Sequence, residues 1–457
     1  MRIALTKHTT ILLFFFSVIV LFSAVSIAAT NAVFLFTDRI YEGVTVGTIS
    51  VGGLSVDEAN IEISNTFKEQ MAQSSITVTY QHETWTITPQ DIEITINPED
   101  LAMQAHNIGR TGNPFKIIQE RYLAVHGGYN IPLTKNYNQD YLYEILNTIA
   151  KSVNRNPQNA SLVYKNDAIF IIPETWGQKV NMPQSFTDIA DQLHNSILFS
   201  SELTVNSERP TIMSQDFTDI DSLIGEYTTQ FDSNDIKRYE NVAIASKHIN
   251  NILVHSGEVF SFNQSVGLRI PEYGYNEAPV MVDGKLLLDW GGGVCQVSST
   301  LYNAALLADM EITERISHYR PPGYVPLGQD ATVADNLIDF KFRNSTPYNI
   351  YITSEIINNQ ITVSIFGQRI ANYVDIRIES TTKKLAYNTV IKQDSTLALG
   401  TKVIKSTGQQ GFEVATYRIK LINGHEISRE ALSSDLFKPE DRIIHVGTKL
   451  QSQHSTK

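Results

Sequence analysis

The chain has 457 residues, of which 42% are hydrophobic, with a formal net charge of −12 and a single cysteine. That apolar content excludes a disordered chain, and the length allows about two to four domains. The acidic balance argues against a general nucleic-acid binder and against simple electrostatic adhesion to an anionic surface, and one cysteine excludes intramolecular disulfides.

From the N-terminus, Ile11 to Phe36 is almost wholly apolar and carries no charge. About 20 such residues span a bilayer, so a membrane anchor within residues 1–38 is expected, with the lipid bilayer met through residues 11–36. Arg2 and Lys7 precede the stretch, which holds the N-terminus in the cytoplasm and sends everything after Asp38 outside. A cleaved signal peptide, with Ser26-Ile27-Ala28-Ala29 as cleavage region, is the alternative. The length of the apolar stretch favours the uncleaved anchor.

Residues 41–122 read as a small α+β unit. Val44 to Val51 is β-rich, and Ser55 with Glu58 forms a capping box for a helix running to about Gln70. Ser75–Tyr80 and Thr84–Ile87 alternate as a hairpin. A related order recurs over residues 123–202. There a helix over Tyr141–Val153 precedes a hairpin at Ala160–Tyr164 and Ala168–Ile172, and a second helix runs from Ser185 to about Leu198. Each unit carries a tryptophan, Trp85 and Trp176, as a diverged internal repeat would. Residues 203–225 are polar and turn-rich and read as a linker. Residues 226–367 form a central α+β domain whose first helix covers Lys237–Leu253. Residues 371–447 are β-rich, with strands at Val374–Ile378, Lys402–Lys405, Phe412–Leu421 and Glu426–Glu430 and a hairpin turn at Asn423-Gly424. Residues 448–457 are a polar tail.

The central domain holds the chemistry. Gly291-Gly292-Gly293 permits positive φ or close backbone approach, and an apolar helical face follows at Val297, Leu301, Ala304, Ala305 and Ala308. Cys295 therefore sits at a helix N-terminus, where exposed amides and the helix dipole stabilise a thiolate. The Gly293 and Gln296 backbones, or the Gln296 amide, are candidate oxyanion donors. A strand over Glu311–Ile316 leads to His318. Asp330 follows in Gly328-Gln329-Asp330-Ala331-Thr332, before a strand over Asp339–Phe342. The order Cys295, His318, Asp330 is that of thiol-dependent acyl-transfer sites, in which His takes the thiol proton and a carboxylate orients the ring. Asp335 and Asp339 compete with Asp330 for the third role, and burial of Cys295 as a small apolar side chain is the competing reading. Asn263, Arg269 and Tyr302 are candidate cleft residues. Ser298 and Thr300 read as helix caps, and His248 and His255 as structural. No metal-ligand spacing, phosphate loop or cofactor motif is present in the sequence.

Several ordered motifs carry a family resemblance. They are Phe231-Asp232 with Arg238-Tyr239-Glu240-Asn241, Gly257-Glu258-Val259-Phe260-Ser261-Phe262-Asn263, and Gly267-Leu268-Arg269 with Gly274-Tyr275. Gly291 to Tyr302, Tyr324 to Val333 and Asp339 to Asn344 complete the set. Together they resemble the VanW family, named for an accessory place in glycopeptide (vancomycin) resistance clusters. The two N-terminal units resemble peptidoglycan-binding repeats of anchored Gram-positive proteins. The glycines at 400, 408, 411, 424 and 447, with Ile443-Ile444-His445-Val446-Gly447, resemble the five-glycine (G5) domain of surface proteins. These resemblances imply an α+β multidomain protein of the cell envelope, single-pass and extracytoplasmic, partnered by peptidoglycan or another wall glycan and not by nucleic acid. The order Cys295, His318, Asp330 points to cysteine-dependent acyl transfer or amide hydrolysis on a wall peptide, with a non-catalytic wall-binding scaffold as the alternative.

Overall fold

The computed structural model describes residues 10–25, 37–232, 234–282, 285–369 and 374–449. Residues 10–25 are helical, and their large apolar side chains are exposed. Among the described residues no helix is long and apolar enough to cross a membrane. The remainder of the expected anchor, 26–36, and the tail from Gln451 lie outside the described residues.

The rest divides into two compact units. The first comprises residues 1–157 and 176–209, the second 158–175 and 210–457. In the first unit the Ser55–Glu58 capping box forms as expected and starts the helix Val56–Ala72. That helix and Pro98–Asn107 bury Ala59, Ile63, Leu101 and Ala105 against the strand Val44–Val46. A second core joins the hairpin Ile76–Tyr80/Glu83–Ile87 to the helices Gln139–Val153 and Met182–Asn195 through Val78, Leu142, Leu146 and Ile189. Two parallel pairings cross the chain. Val44–Val46 pairs with Tyr129–Ile131, and Ile76–Tyr80 with Phe199–Glu202. Segments from both expected repeats thus share each sheet, as parallel pairing requires long crossovers.

The hairpin Ser161–Lys165/Ala168–Ile172 falls in the second unit, where Ala160 and Leu162 pack with Phe217, Ile220, Tyr351 and Phe366. The boundary between the units crosses the stretch expected as a linker, which is ordered. Val205–Glu208 is a strand paired with Gly177–Val180, and Leu203, Phe217 and Ile220 are buried. These apolar residues are scattered among polar ones, so no periodicity announces them.

The second unit is built on an antiparallel sheet in the order Ser222–Gln230, Gln360–Gly367, Ile350–Ile357, Ile252–Val254. The first helix is Ile236–His248, shorter than expected. Asn251 takes a positive φ of 63°, and Ile252, Leu253 and Val254 join the sheet instead. The helix Val294–Leu307 packs on the same sheet and is buried along nearly its whole length. Gly225 lets the sheet approach it, since a Cβ there would stand 2.5 Å from the Ala304 carbonyl oxygen.

Residues 374–449 form two three-stranded sheets, one of Asp375–Leu385, Gly411–Ile422 and His425–Phe437, the other of Thr389–Ala398, Glu440–Lys449 and Lys402–Gln409. The expected turn is present, with Asn423 at φ 51° and Gly424 at φ 77°. This β region is fused to the central domain by buried polar contacts. Arg315 is bidentate to Asp435 at 2.6 and 2.7 Å, Arg418 donates to the Met310 carbonyl at 2.8 Å, and Arg320 donates to Glu440 at 2.9 Å.

Candidate active site

The three glycines before Cys295 are each required by geometry. Gly291 and Gly293 take φ of 75° and 109°, and a Cβ on Gly292 would lie 2.7 Å from the Ala278 carbonyl oxygen. Asn241, fully buried, clamps this turn by donating to the carbonyls of Gly292 at 3.0 Å and Asn276 at 2.9 Å. Gly293 is the N-cap and offers no side chain, and in the first helical turn the Val294 and Gln296 N–H groups donate to the Gly291 and Gly293 carbonyls at 3.0 and 2.9 Å.

Cys295, His318 and Asp330 meet. Asp330 Oδ2 accepts from the His318 backbone N–H at 2.6 Å and from His318 Nδ1 at 2.7 Å. That assignment leaves Nε2 as the ring nitrogen free to serve the Cys295 thiol, whose titration His318 shifts. Asp330 Oδ1 accepts from Arg315 at 3.1 Å, and Arg315 is held in turn by Asp435. Asp330 and Arg315 are 1% and 5% exposed, so this relay works in low dielectric where each charge depends on its partner. The thiol is also fixed by the peptide of Val333, whose N–H and carbonyl lie 3.5 and 3.4 Å from Sγ.

The electrostatics follow from that packing. Burial pushes the Cys295 thiol up, but the hydrogen bond and charge of His318, with Val333 and Arg269, outweigh it and leave the thiol below its ordinary range. Burial pushes His318 down, yet Asp330 and Cys295 raise it to about 9. Burial likewise opposes ionisation of Asp330, while His318 and Arg315 hold it below the usual carboxylate range. The packing therefore favours the charged form of each group, a thiolate beside an imidazolium with an ionised orienting carboxylate.

The structure also corrects several expectations. His318 and Asp330 lie on irregular segments, because the strand before His318 ends at Glu314 and the next begins at Lys341. Asp335 pairs with Arg269, and Asp339 accepts from Ser261 and the Asn263 amide, so neither orients His318. Gln296 is no oxyanion donor. Its backbone N–H bonds to the Gly293 carbonyl and its side-chain amide to Thr229 and the Gln230 carbonyl. Among the described residues the Cys295 backbone N–H has no backbone acceptor, which leaves it as the amide available there. Tyr302 is buried away from the cleft, and the Arg315 guanidinium stacks over its ring at 5.5 Å. Asn263 is a brace. It donates to the carbonyls of Ala334 and Ile338 and accepts from Arg269 at 2.6 Å. Ser298 and Ser299 tie the Cys295 carbonyl to the Ala331 peptide rather than capping the helix, and Thr300 bonds Thr229 at 2.7 Å.

The cleft has a volume of about 860 Å³ and is lined by Cys295, His318, Arg269, Gly293 and Gln296 among the expected residues. It also presents three that sequence reasoning missed, Arg238, Tyr324 and Thr332. The Tyr324 hydroxyl and Thr332 Oγ1 are buried with no hydrogen-bond partner among the described residues. Tyr324 stands beside Ser299, whose own hydroxyl is committed to the Cys295 carbonyl. Burial and the thiolate charge push the phenol well above its ordinary range, so it remains a neutral donor. Both residues stand in the Tyr324–Val333 motif, the signal that pointed to them. Among the described residues no group of three His, Cys, Asp or Glu side chains is placed to hold a metal ion.

Comparison with known proteins matches residues 237–366 to the model of VanW like proteins, 85–197 to a domain model named for peptidoglycan binding, and 376–449 to the G5 domain. The chain is 32% identical over 243 residues to YoaR of Bacillus subtilis, covering 53% of this chain and 79% of that protein. It is 31% identical over 136 residues to the vancomycin B-type resistance protein VanW of Enterococcus faecalis, covering 28% and 49%. Over 73 residues it is 36% identical to an immunoglobulin A1 protease of Streptococcus pneumoniae, of which it covers 4%. A solved IgA1 protease G5 domain is 34% identical, covering 17% of this chain and 92% of that domain at a TM-score of 0.15.

Proposed function

The chain belongs to the VanW family, and from that membership we propose that its central domain catalyses cysteine-dependent acyl transfer or amide hydrolysis on a cell-wall peptide. The observation that carries the proposal is the Cys295–His318–Asp330 relay opening on a cleft of peptide size. The Cys295 thiolate attacks a peptide carbonyl carbon, and the carbonyl electron pair moves to oxygen. We assign the Cys295 N–H, which has no backbone acceptor among the described residues, as a donor to that oxyanion. On collapse the C–N bond breaks, and the amine leaves with the proton that His318 held at Nε2. The resulting thioester is released to an incoming amine or to water, which His318 deprotonates. Asp330 keeps the imidazole in the tautomer and orientation both steps need.

The flanking regions carry cell-wall association, since they match domains named for peptidoglycan binding and the G5 fold family. They hold the cleft at its polymeric substrate and raise the local concentration of wall peptide. The exposed apolar helix 10–25 rises about 24 Å, most of the roughly 30 Å hydrocarbon core. We assign it to the lipid anchor that leaves the remaining domains extracytoplasmic. The test is to incubate the full-length protein with wall peptides and an amine acceptor and to trap the thioester by mass spectrometry. A thioester on Cys295 that disappears in Cys295→Ala supports the proposal. Full cellular function of Cys295→Ala, with sacculus binding retained, establishes a scaffold instead.

A further inference from the structure

We propose that Arg238 is a carboxylate-recognition residue, so that the cleft selects an acidic peptide. Three arginines line the cleft, and two of them are already neutralised. Arg269 is paired with Asp335, and Arg320 with Glu440. Arg238 is different. Among the described residues its side chain donates to the neutral Gln296 Oε1 at 3.2 Å, and no carboxylate there stands within ion-pair range of it. Its position is nevertheless built. The side-chain stem lies against Gly293, where a Cβ would meet Arg238 Cγ at 3.0 Å, and the Arg238 backbone N–H is capped by Asp235. The sheet-bound amide of Gln296 orients the guanidinium from behind. Holding such a side chain in one rotamer has an entropic cost that a ligand would otherwise have to meet.

A second observation points the same way. Tyr324 and Thr332 line the same cleft, and their hydroxyl oxygens are buried with no hydrogen-bond partner among the described residues, a cost in free energy that a small rotation toward an oxygen-rich ligand would relieve. Thr332 and Arg238 are then the groups available to a second oxygen-rich group of the substrate. A guanidinium matches a carboxylate by two parallel N–H donations, and a hydroxyl adds a third. A peptide bearing a free carboxylate near its scissile amide supplies that group. The same cation raises the encounter rate of anionic substrates with a chain whose net charge is −12. Asp289 lines the same cleft but is exposed, so water screens its charge.

This inference rests on the thiol chemistry proposed above, and the test separates the two. Full-length protein is alkylated with iodoacetamide and, in parallel, with iodoacetate, which differs by carrying a carboxylate. In Arg238→Gln the rate with iodoacetate should fall about tenfold more than the rate with iodoacetamide, as expected for loss of one charge-assisted contact. Arg238→Lys should recover part of the difference, because a point charge remains while the fork is lost. An equal change with both reagents, or no change with either, overturns the assignment. A thiol inert to iodoacetamide defeats the nucleophile alone. In that event Trp290, on the cleft wall, still reports binding. N-acetyl-Ala-Glu-amide should quench its fluorescence more strongly than the neutral N-acetyl-Ala-Gln-amide, and Arg238→Gln should abolish the preference, with Trp290→Phe as the blank. Equal quenching by the two peptides refutes carboxylate recognition without reference to the thiol.

Discussion

Replacing His318 with glutamine tests the ion pair at the centre of the site. The substitution removes the cation facing Cys295 and leaves the remaining relay charged and paired. Asp330 keeps Arg315 at 3.1 Å, and Arg315 keeps Asp435 at 2.6 Å. The fold should therefore survive, and the loss should fall on the thiol. An ordinary thiol with pKa about 8.5 is about 1% ionised at pH 6.5, and burial without His318 pushes Cys295 further up. An ion pair intact at that pH holds up to about a hundredfold more thiolate. A thiolate of lower basicity is less nucleophilic, with a Brønsted slope of about 0.4–0.5, so close to half of that advantage is lost on a logarithmic scale. The alkylation rate of Cys295 by iodoacetamide at pH 6.5 should thus fall about tenfold in His318→Gln. Across pH the native rate should be flat through neutrality, and the variant rate should climb with a midpoint at or above about 8.5. A native protein that already climbs with an ordinary thiol midpoint, unchanged by the substitution, refutes the ion pair.

Three further outcomes are expected. Asp435→Asn leaves the buried Arg315 with one carboxylate instead of two. Breaking such a pair costs about 3–5 kcal/mol, and the surviving Asp330 puts this case near about 3 kcal/mol, measured by urea denaturation of the full chain. Gly328→Ala places a Cβ 2.2 Å from Thr416 Oγ1 at a φ of +83°, so it should destabilise the junction between the central and β-rich regions by more than about 2 kcal/mol in the same assay. The His318 contribution to stability is fully present below its unfolded pKa near 6.5, and it is lost as pH rises through about 9. The melting-temperature gap between native protein and His318→Gln should accordingly narrow between pH 7 and pH 10, and a gap that widens contradicts the raised imidazole.

The sequence made the glycine turn, the cysteine helix and the Asn423-Gly424 hairpin legible because each depends on local chemistry. Positive φ, the 3.6-residue period and a two-residue turn are all written in neighbouring residues. The Cys295, His318, Asp330 order was legible for a different reason, because the motifs around those residues resemble a family. Long-range polar pairing was not legible. Asn263 and Gln296 carry the same amide that a binding residue would, and only their partners, Ile338 and Gln230 among them, identify them as braces. The parallel strands Tyr129–Ile131 and Phe199–Glu202 are too short to announce themselves, and their partners lie far away in sequence. Arg315 drew no notice, since nothing local indicates that it joins Asp330 to a carboxylate in another domain.

Cys295 is the chain's single sulfhydryl and lies at the start of a helix buried along nearly its whole length. A thiolate of this kind is readily oxidised to a sulfenic acid, which a neighbouring cysteine commonly captures as a disulfide before further oxidation. Here no second cysteine exists to do so. The same lack that spares the fold any dependence on redox conditions leaves the reactive atom unprotected from within. Repair must come from a small thiol or a reductase able to enter the cleft, and in its absence oxidation proceeds to the irreversible sulfinic state. Exposure to peroxide should therefore end the working life of each molecule while leaving its packing, and its hold on the wall, untouched.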